Sequence, residues 1–276
     1  MNKTLEKKYL ALKDYLKSLQ SVAVAFSGGV DSTLLLCVAH EVLGKKCCAI
    51  TVNAQMVLAQ EITEAKKFCQ QHDVTHYLLN IDALHIEGFA QNANNRCYAC
   101  KNALFKAIIA EACAHGFAHV ADGTNTSDLN DFRPGLKAID ELGVKSPLKQ
   151  AGLSKADVRV LSRELRLATH SKPSNTCLAT RVPYGEQITA GKLKSIEAAE
   201  NALIAAGFTQ VRCRAHECVS GELLARIEVA PSERVKLMEQ LAQNELASSI
   251  YDAGFSYVTA CASGYGNANT MKGVMQ

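Results

Sequence analysis

The 276-residue sequence predicts an α/β protein, with a parallel sheet covered by helices on both faces and then a small α+β domain. Three observations carry that expectation. Short, β-branched apolar runs alternate with longer stretches of helical periodicity through the first half of the chain. A glycine pair directly follows the first of those runs. Between residues 172 and 189 the alternation lapses into an irregular stretch holding two of the five prolines.

The elements follow in order. "MNKTLEKKYLALKDYLKSLQ" is a charged amphipathic helix, and "SVAVAF" (21–26) a buried strand closed by a glycine turn. "STLLLCVAHEVLG" predicts a helix that stops at Gly44. "CCAITVNA" (47–54) and "THYLLNID" (75–82) predict strands, with the helix "QEITEAKKFCQQHD" between them. "CKNALFKAIIAEACAHG" is a further helix, and "HVADGTN" (119–125) a fourth strand ending in a polar loop. Such alternation makes βαβ crossovers, hence parallel strands. After a loop-rich stretch from Thr126 to about Pro147, "SKADVRVLSRELRL" is a helix with Ser154 as its N-cap. The expected domains are therefore 1–184 and 185–276. The second is expected as a helix (190–206), the strands "QVRCRAH" and "LLARIEV", one helix over 232–254, and the strand "SYVTACAS".

Composition narrows the classes. With 48% apolar and 21% charged residues this is ordinary globular material, and apolar runs such as "SVAVAF" are too short to span a bilayer. The N-terminal helix lacks the apolar segment of a signal peptide, so a cytoplasmic protein without membrane partners is expected. A net charge of +3 with no long Lys/Arg run argues against a nucleic-acid partner. Eleven cysteines, an odd number, do not suit a disulfide framework in a reducing compartment. Cys37, Cys47, Cys48, Cys69, Cys113, Cys213 and Cys261 fall in apolar-periodic segments and are expected as small buried side chains.

"SGGVDST" (27–33) carries the first chemistry. Adjacent Gly28 and Gly29 let backbone approach an anion, and the N–H groups opening the next helix, with the Ser27, Ser32 and Thr33 hydroxyls, make a phosphate cradle. Asp31 would repel bare phosphate, which points to a magnesium ion between them. Asp122, Gly123, Thr124 and Asn125 in "ADGTNTSD" end the fourth strand, where doubly wound sheets bind ligands.

The first loop resembles that of the PP-loop ATP pyrophosphatases, and "ADGTNTSD" their second nucleotide motif. The resemblance implies a HUP-type, Rossmann-like sheet and attack on the α-phosphate of ATP, releasing pyrophosphate. A Walker A lysine is missing, which disfavours a phosphoryl-transfer NTPase. "DGTNTSDLNDFRPGLKA", "KPSNTCLATRVPYGEQIT" and "VRCRAH" narrow the resemblance to the LarE family of ATP-dependent sulfur transferases, over nearly the whole chain. That family adenylates a carboxylate of a pyridinium dicarboxylate mononucleotide and replaces AMP with sulfur, giving a thiocarboxylate for the nickel-pincer cofactor. A small-molecule nucleotide substrate, a homo-oligomer and a sulfide donor protein are implied with it. Arg133, Arg181, Arg212 and Arg214 are candidates to grip the anionic substrate. Cys177 matches the sulfur-donor position, and Glu200 a position able to steer or deprotonate the nucleophile.

Cys97 and Cys100 in "RCYAC" depart from single-cysteine members of the family. With Cys177 they supply three thiolates, the complement of a [4Fe–4S] cluster with one open iron, and the resemblance extends to a subgroup carrying this pattern. A redox pair, a zinc site and plain packing stay open for the pair. Cys177 is either consumed donor or cluster ligand. A tRNA thiolation enzyme is the runner-up, followed by an amide-forming synthetase of the NAD or GMP type and a non-catalytic adenine-nucleotide sensor.

Overall fold

A computed structural model of the chain describes residues 2–130, 134–173 and 175–265. Two units divide it: Met1–Asp82 with Cys97–Asn175, and Ala83–Arg96 with Thr176–Gln276.

The first unit opens with α1 (Lys3–Leu19), capped by the Asn2 side chain, which accepts from Leu5 N. Then come β1 (Val22–Ala25), α2 (Val30–Leu43), β2 (Cys47–Asn53), α3 (Ala59–Gln71) and β3 (Thr75–Asn80). α4 (Arg96–Ala114), β4 (Val120–Ala121), α5 (Pro134–Glu141), α6 (Pro147–Gln150) and α7 (Lys155–Glu164) complete it. The sheet order is β3-β2-β1-β4, with every pairing parallel. Period-two alternation sorts the strand residues between two cores. Val22, Val24, Cys47 and Ala49 face the side built by α1, α2, α6 and α7, whose Leu12, Leu16, Leu34, Leu35 and Leu148 are fully buried. Ala23, Cys48 and Ile50 face the other side, with Phe105, Ile108 and Ile139 of α4 and α5. Each buried leucine of this kind contributes roughly 1.5–3 kcal/mol of apolar transfer.

Cys47, Cys48, Cys69 and Cys213 are buried as expected, but Cys37 and Cys261 are half-buried and Cys113 is exposed. The buried stripe of α4 runs through Phe105, Ile108 and Ala112, and Cys113, one step further round the helix, turns outward. Burial pushes the Cys47 and Cys69 thiols up to about 12, so both stay protonated packing groups.

The second unit contains α8 (Ala190–Ala205), β5 (Val211–Glu217), β6 (Leu223–Val229), α9 (Arg234–Ala242), α10 (Glu245–Asp252) and β7 (Tyr257–Ala260). β6 is central, antiparallel to β5 and parallel to β7. The single helix expected over 232–254 is two. Asn244 adopts a left-handed conformation (φ 66°) between α9 and α10, which asparagine tolerates better than most residues, and so the helix breaks there.

The units change over at Asn175 and Thr176 rather than near residue 184, and the second takes in Ala83–Arg96. Asn92 explains why. Fully buried and at φ 55°, it donates through Nδ2 to the carbonyls of Pro183 (2.6 Å) and Glu186 (3.0 Å), while Gly185 N donates to its own carbonyl. Arg96 adds a bond to Ala179 O at 3.0 Å. These bonds hold the proline-containing stretch to residues far earlier in the chain.

Candidate active site

In the first unit, β1 is flanked by β2 on one side and β4 on the other, so the connections leave it in opposite directions. The crevice at the carboxyl ends of β1 and β4 is the switch point where such sheets take ligands. The loop 27–33 leaves β1 there and the segment 122–125 leaves β4. Gly28 lies at φ +68°, a conformation that favours glycine, and Gly29 is the N-cap of α2. Ser32 Oγ lies 3.1 Å from Ser27 Oγ and donates to Gly29 O at 3.2 Å. Ser32 and Thr33 are buried, and Thr33 N donates to Gly29 O at 2.9 Å. These two residues hold the turn itself, whereas Ser27 is exposed.

Gly123 is there for closeness. A Cβ on it would sit 2.9 Å from Ser32 N and 3.1 Å from Asp31 Cβ, so only glycine lets the segment after β4 meet the loop after β1. Asn125 Nδ2 donates to Asp31 Oδ1 at 3.1 Å. Asp122 accepts from Ser146 Oγ at 2.7 Å and from Thr124 Oγ1. Asn125 thereby meets the loop directly, whereas Asp122 is held by Ser146 and Thr124 outside it.

Two cations that sequence reasoning missed also come to this loop. Lys155, the first residue of α7, donates to Asp31 Oδ2. Lys172 donates to Gly28 O at 3.1 Å and to Glu64 Oε2 at 2.7 Å. Burial alone would raise the Glu64 carboxyl, but the bonds from Lys172 and Gln60 bring it below its ordinary value. Arg159 fixes the stretch bearing Lys172 by donating to His170 O (2.8 Å) and Lys172 O (2.9 Å).

Cys97 and Cys100 lie in the first turn of α4, half-buried and not joined by a disulfide. Three residues apart on a helix, they share one face with Cβ atoms about 5–6 Å apart, a spacing that suits two ligands of one metal group. No group of three or more His, Cys, Asp or Glu side chains forms a metal-holding set among the described residues. Arg133 lies outside the described residues.

In the second unit, Cys177 is exposed on the approach to a short 3-10 turn, Leu178–Arg181. Arg181 organises that approach. Its NH1 donates to Thr176 O (2.7 Å) and Cys177 O (3.2 Å), while Nε and NH2 grip Glu200 at 2.8 and 3.0 Å. Both side chains are 3–4% exposed, and Glu200 also accepts from Cys213 N at 3.0 Å. Glu200 is thus the buried counter-ion of Arg181. Arg214 makes the same two-point grip on Glu228 (2.5 and 3.1 Å) and reaches Thr180 O at 3.1 Å.

Arg212 differs from both. It stacks over Tyr265, 4.6 Å from the ring centroid, and its Nε is buried without a hydrogen bond. Burial, with Arg181 and Arg214 nearby, holds its pKa below the ordinary arginine value. Arg212 has no carboxylate within ion-pair distance among the described residues, although Glu228 lies near enough to favour its charged form. Further along the same strand, burial and then Arg226 and Arg214 push the His216 imidazole below its ordinary pKa. The arginines predicted to grip an anion therefore divide: Arg181 and Arg214 hold structure together, and Arg212 has donor capacity to offer.

A switch-point sheet with this glycine loop, aspartate and second motif defines the PP-loop class of ATP-using enzymes. The model of the PP-loop domain matches residues 1–129. A pyridinium-3,5-bisthiocarboxylic acid mononucleotide synthase of Lactiplantibacillus plantarum is 34% identical over 95% of this chain and 93% of its own. An uncharacterized protein of Synechocystis sp. is 38% identical over 95% of this chain and 96% of its own. A tRNA-specific 2-thiouridylase of Roseiflexus castenholzii is 30% identical over only 37% of this chain and 33% of its own. The chain belongs to the LarE family of PP-loop ATP-dependent sulfur transferases.

Proposed function

We propose that the chain adenylates a carboxylate of a pyridinium dicarboxylate mononucleotide and replaces AMP with sulfur. The product is a thiocarboxylate of the kind named by its Lactiplantibacillus relative. The observation that carries this reading is that one chain combines a nucleotide loop with an exposed cysteine on a turn organised by a buried arginine. A carboxylate is a poor electrophile, and transfer of AMP from ATP makes it a good one while pyrophosphate departs. Attack by sulfur on the acyl carbon then expels AMP. A magnesium ion on Asp31 would stabilise charge on the departing pyrophosphate. Arg212, whose buried Nε has no hydrogen bond, would take an anionic part of the substrate.

The sulfur has two possible sources. If Cys177 is the donor, its Sγ forms a thioester as AMP leaves. Loss of the Cα proton and cleavage of the Cβ–S bond then leave the thiocarboxylate and dehydroalanine. Alternatively, Cys97, Cys100 and Cys177 would hold a [4Fe–4S] cluster able to bind an additional sulfide. The helical spacing of the first pair suits two ligands, and a sulfide donor protein then completes the cycle. A homo-oligomer and a cytoplasmic location belong to the same reading. Among the described residues no helix is long and apolar enough to cross a membrane.

Iron and acid-labile sulfide, measured on protein purified without oxygen, test the choice. About four irons per chain, lost in Cys97→Ala, support the cluster. Iron-free protein active once, with Cys177 lighter by the mass of H₂S, makes it a sacrificial donor. A second reading, tRNA thiolation, rests on the shorter thiouridylase match. Pyrophosphate release driven by tRNA and not by the pyridinium mononucleotide would put it first.

A further inference from the structure

Strand β1 ends at Ala25, and Phe26 N donates to Ile50 O at 2.9 Å before the chain leaves the sheet for the glycine loop. At that exit Thr51 of β2, 3% exposed, donates through Oγ1 to Phe26 O at 2.8 Å. His76 of β3 brings its Nε2 to 2.8 Å from the same Oγ1. A hydroxyl has one hydrogen to give, and here it goes to Phe26 O. His76 is therefore the donor to Thr51 and carries its proton on Nε2. The bonds run in series from β3 through β2 to the residue that precedes Ser27.

We propose that Thr51 and His76 are positioning residues for phosphate binding by the 27–33 loop, acting through the Phe26–Ser27 peptide. The proposal rests on the reading of this loop as the ATP site.

A trans peptide is planar, so the Phe26 carbonyl and the Ser27 N–H point in opposite directions from one rigid unit. Holding the carbonyl on Thr51 fixes the direction of the first N–H of the loop. It also fixes where Ser27 departs, and Ser27 Oγ lies 3.1 Å from Ser32 Oγ and accepts from Gly29 N at 3.4 Å. Gly28 and Gly29 have no side chains to hold their own conformation, so stiffness has to come from the root of the loop. The Phe26 ring is held there as well. It is 2% exposed, its centroid is 5.5 Å from that of Phe68, and His76 meets it edge-on at 6.5 Å. His76 thus steadies Phe26 at the ring and, through Thr51, at the carbonyl. Burial and then Lys66 push its imidazole below the ordinary pKa.

The simpler reading is that these bonds only stabilise the sheet. β2 and β3 are already paired from Cys48 and Thr75 to Asn53 and Asn80, and β1 and β2 from Val22 and Cys47 to Ala25 and Ile50. One side-chain bond adds little to such ladders. Its acceptor, however, is the carbonyl standing between the ladder and the loop, where a small rotation of the peptide is felt by every N–H that follows.

The test uses the full chain and calorimetric titration well below the melting transition, with magnesium α,β-methylene-ATP and adenosine as probes. Thr51→Val keeps the shape but takes the hydroxyl donor from Phe26 O, and should weaken the triphosphate analogue roughly five- to fiftyfold. Adenosine, which has no phosphate for the loop to hold, should stay within about twofold. Thr51→Ser restores the hydroxyl and should return analogue binding to within about threefold of wild type. His76→Phe keeps an aromatic ring beside Phe26 without the donor, and should weaken the analogue about two- to fivefold. Combined with Thr51→Val it should add nothing further, because the two bonds act in series. A purely structural role lowers the melting temperature and leaves the difference between the two probes unmoved. Unchanged analogue binding in Thr51→Val, equal weakening of analogue and adenosine, or additive effects of the two changes overturns the proposal. If Thr51→Val does not fold, His76→Phe against the same probes decides it. A wild-type chain that binds neither probe refutes the ATP-site reading, and the proposal falls with it.

Discussion

Glu200→Gln removes one charge from a pair that is almost wholly out of water. Arg181 and Glu200 are 3% and 4% exposed, with two parallel bonds of 2.8 and 3.0 Å between them. Glutamine keeps the volume and can still accept from Cys213 N, but one carboxylate oxygen becomes an NH₂ group facing guanidinium donors. Arg181 is then a buried cation without its counter-ion, near Arg212 and Arg214. Breaking such a pair from one side costs roughly 3–5 kcal/mol, which at about 2–4 °C per kcal/mol lowers the melting temperature by roughly 6–20 °C. Arg181 also holds the carbonyls of Thr176 and Cys177, so sulfur transfer should fall while pyrophosphate release is retained. Thermal unfolding followed by circular dichroism, with both activities assayed well below the transition, measures the two effects. The double variant with Arg181→Met should be less destabilised than the sum of the single changes. A melting temperature within about 2 °C of wild type, or additive single changes, refutes the claim that this pair organises the Cys177 turn.

Gly123→Ala should push the segment after β4 off the loop, because the added methyl would lie 2.9 Å from Ser32 N. Nucleotide titration should show weaker ATP binding with little loss of overall fold. Asp31→Ala should abolish pyrophosphate release, whereas Cys177→Ala should keep it and lose the thiocarboxylate, both read by pyrophosphate assay and mass spectrometry. Stability should fall on acidification, with part of the fall due to His216. Burial, Arg226 and Arg214 hold the folded imidazole below the free value of about 6.5, so the unfolded chain takes up the proton first. The loss begins as pH drops through about 6.5 and continues until the folded imidazole also titrates. Melting temperature against pH should be flatter for His216→Gln.

The amino-acid sequence by itself determined what is local or periodic. Strand alternation, helix stripes and the glycines of "SGGVDST" each leave their mark within a few residues. The parallel sheet and the loop at its switch point are therefore legible without coordinates, and family resemblance added the arginines and Cys177. Only the tertiary structure decided which of those groups are committed to one another. Glu200 looks like a surface glutamate of α8 until Arg181 is found on it, and Arg212 stands apart from Arg181 and Arg214 only because those two grip carboxylates while its own Nε has no hydrogen bond. Lys155 and Lys172 reach the loop from 124 and 144 residues away, and Asn92 clasps Pro183 across 91. Such pairings depend on where packing brings distant backbone together. No local pattern records them, because a lysine that will meet Asp31 and one that will meet water have the same neighbours in sequence.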